Sequence, residues 1–141
     1  MKTTVLRNSR RRTKRRRSGV AAAEFAACLP ILILLIIGTI EACAAIYLKQ
    51  TLSVAAYEGI RTAVERDAAG SDVEDACDEI LSARNVNGAV VRIEPNDFAA
   101  QPKQSWITVR ISAPVRANSV IPGWFYNDLV LHGSATMMKE Y

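Results

Sequence analysis

The sequence has little of what enzymes and metal proteins commonly use for chemistry. It contains a single histidine, three cysteines and no glycine-rich phosphate loop. The cysteines are Cys28, Cys43 and Cys77. They are too few and too irregularly spaced for a disulfide framework or a CxxC metal site. We therefore expect no metal site and no cofactor.

The one histidine, His132, does not indicate a catalytic site. Asp128 and Ser134 are its neighbours on the same predicted strand. Residues so placed on one strand do not converge into a proton relay without partners from elsewhere in the fold. We expect no catalytic residues and no enzyme activity.

Acidic residues are absent from the first seventeen positions, which hold nine of the eighteen Lys and Arg. Residues 18–141 carry nine basic and fourteen acidic residues, a net charge of −5 that the overall +4 conceals. A basic tail of this kind suits nucleic acid or a membrane surface. No aromatic residues are interleaved for base stacking, so we expect anionic lipid headgroups as its partner and no nucleic acid.

A long apolar run follows the basic tail. Residues 25–40 are uncharged, and Glu24 and Glu41 flank them. About 20 apolar residues cross a bilayer as a helix, so we predict a transmembrane helix over 20–48. The positive-inside rule then places the N-terminus in the cytoplasm and the rest of the chain across the membrane. We interpret Glu41 as a boundary residue at the outer membrane interface, with a role in helix pairing as the alternative.

Different peptidases would give different mature proteins from this N-terminus. A secretory signal peptidase could use Ala42-Cys43-Ala44 and release a domain starting near Ala45. Lipoprotein and twin-arginine signals fit less well. A prepilin peptidase cuts on the cytoplasmic side after a glycine, here Gly19, and leaves the apolar helix on the product. With no cleavage, the chain is a single-span signal-anchor protein whose extracytoplasmic domain binds a partner.

Gly19, Glu24 and Phe25 form a Gly-x-x-x-x-Glu-aromatic arrangement. It resembles the processing motif of the Flp/Tad branch of type IV pilins, although tyrosine is frequent where Phe25 stands. Residues 21–64 are also similar to the N-terminal region of TadE-like (TadE/TadF) minor pseudopilins. The further features that carry this resemblance are Pro30, Gly38 with Glu41, and Ala55, Ala56, Glu58, Gly59 and Arg61.

The resemblance implies a subunit for assembly or anchoring of a Flp/Tad-type pilus or a related secretion apparatus. Its partners would be prepilin peptidase, other pilin-like subunits and pilus assembly proteins. It would sit in the bacterial inner (cytoplasmic) membrane as a single-pass protein, with its C-terminal domain periplasmic or extracellular. Cleavage after Gly19 would make Val20 the first mature residue. Glu24 would then neutralise the new α-amine of a neighbouring subunit. Major Flp pilins are much shorter, which favours a minor role.

The remaining sequence predicts an α+β fold, in which the long N-terminal helix continues into a small domain. Leu52, Ala55, Ala56, Gly59 and Ala63 recur at helical spacing, so the helix continues to about Asp67 and its stripe of small residues suits close packing. Ser71 and Glu74 form a capping-box pattern that opens a second helix ending near Ala83. The acidic residues of that helix fit a solvated face better than a calcium loop.

Alternating residues predict three antiparallel strands over 89–94, 106–113 and about 128–138, which the helices cover on one face. Trp106 of the second strand could form a binding patch with Trp124, Phe125 and Tyr126 of the loop before the third strand. The loop could equally be anchored under the sheet. The predicted organisation is a basic leader over 1–19, the transmembrane helix over 20–48 and an extracytoplasmic domain over 49–141.

Overall fold

The computed structural model describes residues 16–121 and 128–140, with side chains from Gly19 onward. The loop aromatics at 124–126 and most of the basic leader lie outside these ranges. A single helix, α1, occupies Arg16–Ala63 and passes through Pro30 without ending. It stops earlier than Asp67, because residues 64–67 form a turn in which Asp67 adopts a left-handed φ of 62°. The predicted long N-terminal helix is confirmed.

The chain divides into two compact units, one ending at Ile37 and the other running from Gly38 to Tyr141. In the first unit, every described side chain from Gly19 to Ile36 is exposed. The second unit holds the hydrophobic core. The predicted boundary between membrane helix and outer domain at 48 and 49 is not tested by this division and stays a prediction.

The second helix, α2, occupies Gly70–Ala83. Its N-cap is Ala69, and a carboxylate oxygen of Asp72 accepts a hydrogen bond from the Ala69 amide at 2.9 Å. The predicted capping box on Ser71 and Glu74 was therefore wrong by two residues. The helix starts one residue earlier than Ser71, and Asp72 supplies the acceptor that Glu74 was expected to provide.

Three strands form an antiparallel sheet in the order β1-β2-β3, with β1 at Val90–Glu94, β2 at Trp106–Pro114 and β3 at Val130–Met138. This confirms the predicted α+β fold. Alternate residues of β2 are fully buried: Ile107, Val109, Ile111 and Ala113. They face α1 and α2, and the side chains on the opposite face of the sheet are exposed or half-buried.

The core forms between the sheet and one stripe of α1. The buried stripe contains the residues predicted to pack: Leu52, Ala55, Ala56, Gly59 and Ala63. Two glycines allow close approach. A Cβ on Gly133 of β3 would lie 2.4 Å from the Leu52 carbonyl carbon, and one on Gly59 would lie 2.4 Å from the Cys77 sulfur. Both separations are far below van der Waals contact, so these sites accept only glycine in the present packing.

Candidate functional site

The residues predicted for processing and assembly lie near the N-terminal end of the described part of α1. Val20 and Phe25 are exposed to 59% and 61%. Gly19 and Glu24 are exposed as well. Val20 and Glu24 are four residues apart, so they lie on the same side of the helix, about 6 Å apart along its axis. No residue in the described part of the chain covers this group.

The Gly19–Val20 peptide bond lies near the N-terminal end of the described part of α1, and both residues are exposed. A Cβ added at Gly19 would meet no atom within 4 Å. The bond is therefore accessible to an external enzyme, and the fold itself does not require glycine at this position.

The apolar run of α1 is suited to a membrane. Over the described residues, α1 is the one helix long and apolar enough to span a bilayer, and none of its most apolar window is buried in the protein. Its large exposed side chains include Leu29, Ile31, Leu32, Ile33, Leu34, Leu35 and Ile36. Such a continuous apolar surface in water would favour aggregation. The helix indicates a single-pass membrane protein.

Glu41 has a role that the sequence did not reveal. Its side chain is 1% exposed. One carboxylate oxygen accepts the backbone N–H of Ile121 at 2.8 Å, and the other accepts the Ser119 hydroxyl. Glu41 thus fastens α1 to the segment that follows β2. The position of Glu41 at the end of the apolar stretch suggested a boundary residue. Its hydrogen-bond partners, Ser119 and Ile121, lie about eighty residues further along the chain, so no local sequence pattern could have indicated them.

A mainly apolar exposed stripe runs along α1 in the second unit. Its members recur at alternating three- and four-residue steps: Ile40, Cys43, Tyr47, Gln50, Val54 and Tyr57. Each is exposed, Tyr47 to 52% and Tyr57 to 55%. This is the spacing with which helices pair along their length. The spacing of this stripe is visible in the sequence alone, but only the buried stripe was predicted from it.

The three cysteines differ in surroundings, and none forms a disulfide. Cys28 and Cys43 are exposed on α1, while Cys77 of α2 is fully buried beneath Gly59. Burial, together with the charges of Asp78 and Glu74, raises the pKa of the Cys77 thiol to about 11. The thiolate is the reactive form of cysteine, and the raised pKa keeps the Cys77 thiol protonated at neutral pH. Cys77 is therefore a packing residue of the core.

Comparison with known proteins gives one match to a protein family, and it lies within α1. A family model described as TadE-like protein matches residues 19–61. The chain carries a TadE-like region. The match begins at Gly19 and includes Glu24, Glu41 and Gly59. It ends before α2 and the sheet. No curated protein and no solved structure matches the chain.

The TadE-like match confirms the resemblance and supports a general association with Tad pilus systems. TadE-like pilus proteins are structural rather than enzymatic. Together with the apolar helix, the match supports a membrane-associated pilus component. It covers α1 and leaves the domain built from α2 and the sheet without a matched relative.

Proposed function

We propose that the chain is a prepilin-like, TadE-like subunit used to assemble or anchor a Flp/Tad-type pilus or a related secretion apparatus. The observation that carries this is the TadE-like match over 19–61, which starts at the glycine of the processing motif. The exposure of Gly19 and Val20 and the uncovered apolar helix support the same function. In this role the chain is a substrate and a building unit.

Processing would begin with the chain in the inner membrane, its basic leader in the cytoplasm and its outer domain periplasmic or extracellular. Prepilin peptidase would cut the Gly19–Val20 bond. A glycine before the bond leaves room for close approach of the peptidase to the backbone. The product would keep the whole apolar helix and would begin at Val20 with a new positively charged amine.

Glu24 would give assembly its register. A carboxylate held in the bilayer is costly, about 2.5 to 3.5 kcal/mol at the centre and less near the edge, so it favours a cationic partner. The Val20 amine of an adjacent processed subunit is such a partner. At an effective dielectric near 20, two unit charges about 4 Å apart attract by roughly 4 kcal/mol before desolvation is subtracted.

The exposed stripe of α1 supports contact with other pilin-like subunits beyond the membrane. Tyr47, Val54 and Tyr57 lie on the side of the helix opposite the buried stripe. Neighbouring subunits inserted in the same direction would present parallel helices, and a three- and four-residue spacing suits their packing. The stripe thus extends the assembly surface from Phe25 to the far end of the helix.

Two variants test processing and assembly separately. Gly19→Leu should leave the leader attached, because a side chain replaces hydrogen at the cleavage site while the fold has room for it. Glu24→Leu should be processed and should lose surface filaments and adhesion. Glu65→Leu changes an exposed glutamate outside the match and serves as control. Normal filaments with Glu24→Leu would refute the assembly role.

The alternative is an uncleaved signal-anchor protein whose outer domain binds a partner. In this alternative the domain built from α2 and the sheet carries the function, and α1 serves as the anchor. Under this alternative, Gly19→Leu and Glu24→Leu would both leave function intact. Of the three changes, only deletion of the outer domain would then abolish function.

A further inference from the structure

A cavity of about 360 Å³ opens where α1, the end of α2 and the segment after β2 meet. Its α1 wall is formed by Ala44, Tyr47 and Leu48. Arg84, which follows α2, is the one formally charged residue among those that line it. Neither the proposed processing nor the proposed assembly uses Arg84.

The end of α2 places Arg84 on this cavity. Arg84 is the C-cap of α2, and Asn85 follows it with a left-handed φ of 53°. The Val86 N–H then donates to the Leu81 carbonyl at 2.9 Å, a hydrogen bond typical of helices that end in this way. Because backbone hydrogen bonds close this turn, Arg84 and Asn85 are held in position beside α1.

Two contacts with α1 orient the Arg84 guanidinium. Its Nη1 donates to the hydroxyl of buried Thr51 at 3.4 Å. Its central carbon lies 5.8 Å from the centre of the Tyr47 ring, a distance at which a cation is attracted to an aromatic face. Arg84 forms no ion pair within the described residues. A guanidinium has five N–H groups, so most of them stay available to a ligand.

The segment after β2 is fixed by Asn118, which also lines the cavity. The Asn118 Oδ1 accepts the Asn87 N–H at 2.7 Å, and its Nδ2 donates to the carbonyls of Asn87 and Pro114 at 2.9 Å. In contrast, the side-chain amide of Asn85 and the hydroxyl of Tyr47 make no hydrogen bond to the described part of the chain. The cavity therefore combines an oriented cation with two further polar groups that can bind a ligand.

No carboxylate in the described part of the chain lines the cavity. Glu41 is buried, and its oxygens accept the Ser119 hydroxyl and the Ile121 N–H. Asp128 is exposed and lies two residues before β3. An anion that enters the cavity therefore contacts Arg84 and no acidic side chain.

The cavity lies at the level where α1 leaves the bilayer. After the apolar run, Glu41 is buried and Lys49 is the first exposed charged residue of α1. Between them lie exposed Ile46 and Tyr47, and tyrosine is enriched at the headgroup level of membranes. Lipid phosphate groups occupy this level, so they are within reach of an arginine that lies over the Tyr47 ring.

We propose that this cavity binds the phosphate of a phospholipid headgroup from the leaflet on the side of the domain. The planar guanidinium of Arg84 donates to two phosphate oxygens, a geometry that arginine favours. The Asn85 amide and the Tyr47 hydroxyl supply further donors. The acyl chains stay in the bilayer beside α1. A bound lipid thereby fixes the end of α2 at the membrane surface.

Lipid retention by the full-length chain tests this site. The chain in non-ionic detergent is incubated with phosphatidylethanolamine or with diacylglycerol of the same acyl chains, and native mass spectrometry counts the bound lipid. Phosphatidylethanolamine has no net charge, so the basic leader does not attract it as it would an anionic lipid. We expect phosphatidylethanolamine to be retained roughly tenfold more than diacylglycerol, which lacks the phosphate.

Variants locate the bound lipid. Arg84→Gln should lower phosphatidylethanolamine retention roughly tenfold, and Arg84→Lys should restore part of it. Ala44→Leu fills the cavity without changing Arg84 and should lower retention as well, so the test does not depend on one variant. Arg110→Gln removes the same charge from an exposed position on β2 and should have no effect.

Four results would overturn the proposal. They are equal retention of the two lipids, unchanged retention in both Arg84→Gln and Ala44→Leu, an equal loss with Arg110→Gln, and displacement of the lipid by excess inorganic phosphate. The third would assign retention to net charge, and the fourth would assign the cavity to a free phosphate ion. The measurement requires neither cleavage after Gly19 nor filaments, so its failure leaves the proposed function unaffected.

Discussion

The two parts of α1 share one helix and have opposite surroundings. From Gly19 to Ile36 the helix is strongly apolar and every described side chain is exposed. From Glu41 to Ala63 it is rich in small residues, and one stripe is completely buried. Apolar character alone therefore does not show where a helix meets protein. The stripe of small residues does, because it permits close packing against the sheet.

Glu24 and Glu41 show the same difference in surroundings at the level of single residues. Each lies at one end of the apolar run. Glu24 is exposed, whereas Glu41 is buried with two hydrogen-bond donors at its carboxylate. A carboxylate beside a membrane segment can thus serve another molecule or its own domain. The location of its donors distinguishes the two roles.

The largest effect is expected at the closest approach between β3 and α1. Gly133→Ala would place a methyl group 2.4 Å from backbone carbon of Leu52. Backbone atoms cannot move aside as a side-chain end can, so the free energy of unfolding should fall by about 3 kcal/mol or more. Gly70→Ala, where an added Cβ meets nothing within 4 Å, is the matched control. Urea unfolding of the detergent-solubilised chain measures both, and equal stabilities would contradict the described packing.

A smaller loss is expected for Gly59→Ala, because the new methyl group meets the Cys77 sulfur, which can shift. We expect a loss of about 2 kcal/mol in the free energy of unfolding. Cys77→Ala removes that sulfur and leaves space. The double variant should therefore be more stable than the sum of the two single losses predicts, by about 1 kcal/mol. Strict additivity would show that the two residues do not meet.

The two glutamates give the third prediction. Glu41→Ala leaves the Ile121 N–H and the Ser119 hydroxyl without their acceptor, which should cost about 1 to 3 kcal/mol of unfolding free energy. Glu41→Gln keeps one acceptor oxygen and should cost less. Glu24→Ala should leave stability unchanged, since Glu24 is exposed. Equal losses at both positions would remove the distinction between them.

The smallest effect concerns the thiols. At pH 8, an alkylating reagent should reach Cys77 only after unfolding, because this thiol is buried in the core. The raised pKa of Cys77 stabilises the fold below pH 9, and this contribution should be lost as pH rises from about 9 to about 11. Mass spectrometry of labelled peptides follows the first effect, and unfolding of wild type and Cys77→Ala at several pH values follows the second. Rapid native labelling of Cys77 would contradict its burial.

Much of the fold followed from the sequence because it rests on local patterns. Alternation in β2 and the small-residue stripe around Gly59 each predicted the buried side correctly. The cap of α2 was misplaced, because several residues near Ala69 can accept a backbone hydrogen bond and the sequence does not rank them.

What the sequence could not provide were contacts between distant positions. The Glu41 carboxylate binds groups that are 78 and 80 residues away. Arg92 faces Arg110 only because of the strand register. The processing motif, in contrast, is contiguous, so Gly19 and Glu24 could be selected from sequence alone. Their proposed roles depend on a peptidase and a neighbouring subunit.

The most direct test of the central claim is the N-terminal sequence of the protein recovered from its host's membranes. A mature protein beginning at Val20 is the predicted result, and it would show that the leader is removed while the apolar helix is kept. A start at Met1 would contradict processing and support the signal-anchor alternative. A start near Ala45 would contradict assembly through α1, because the released domain would lack Glu24 and the apolar run.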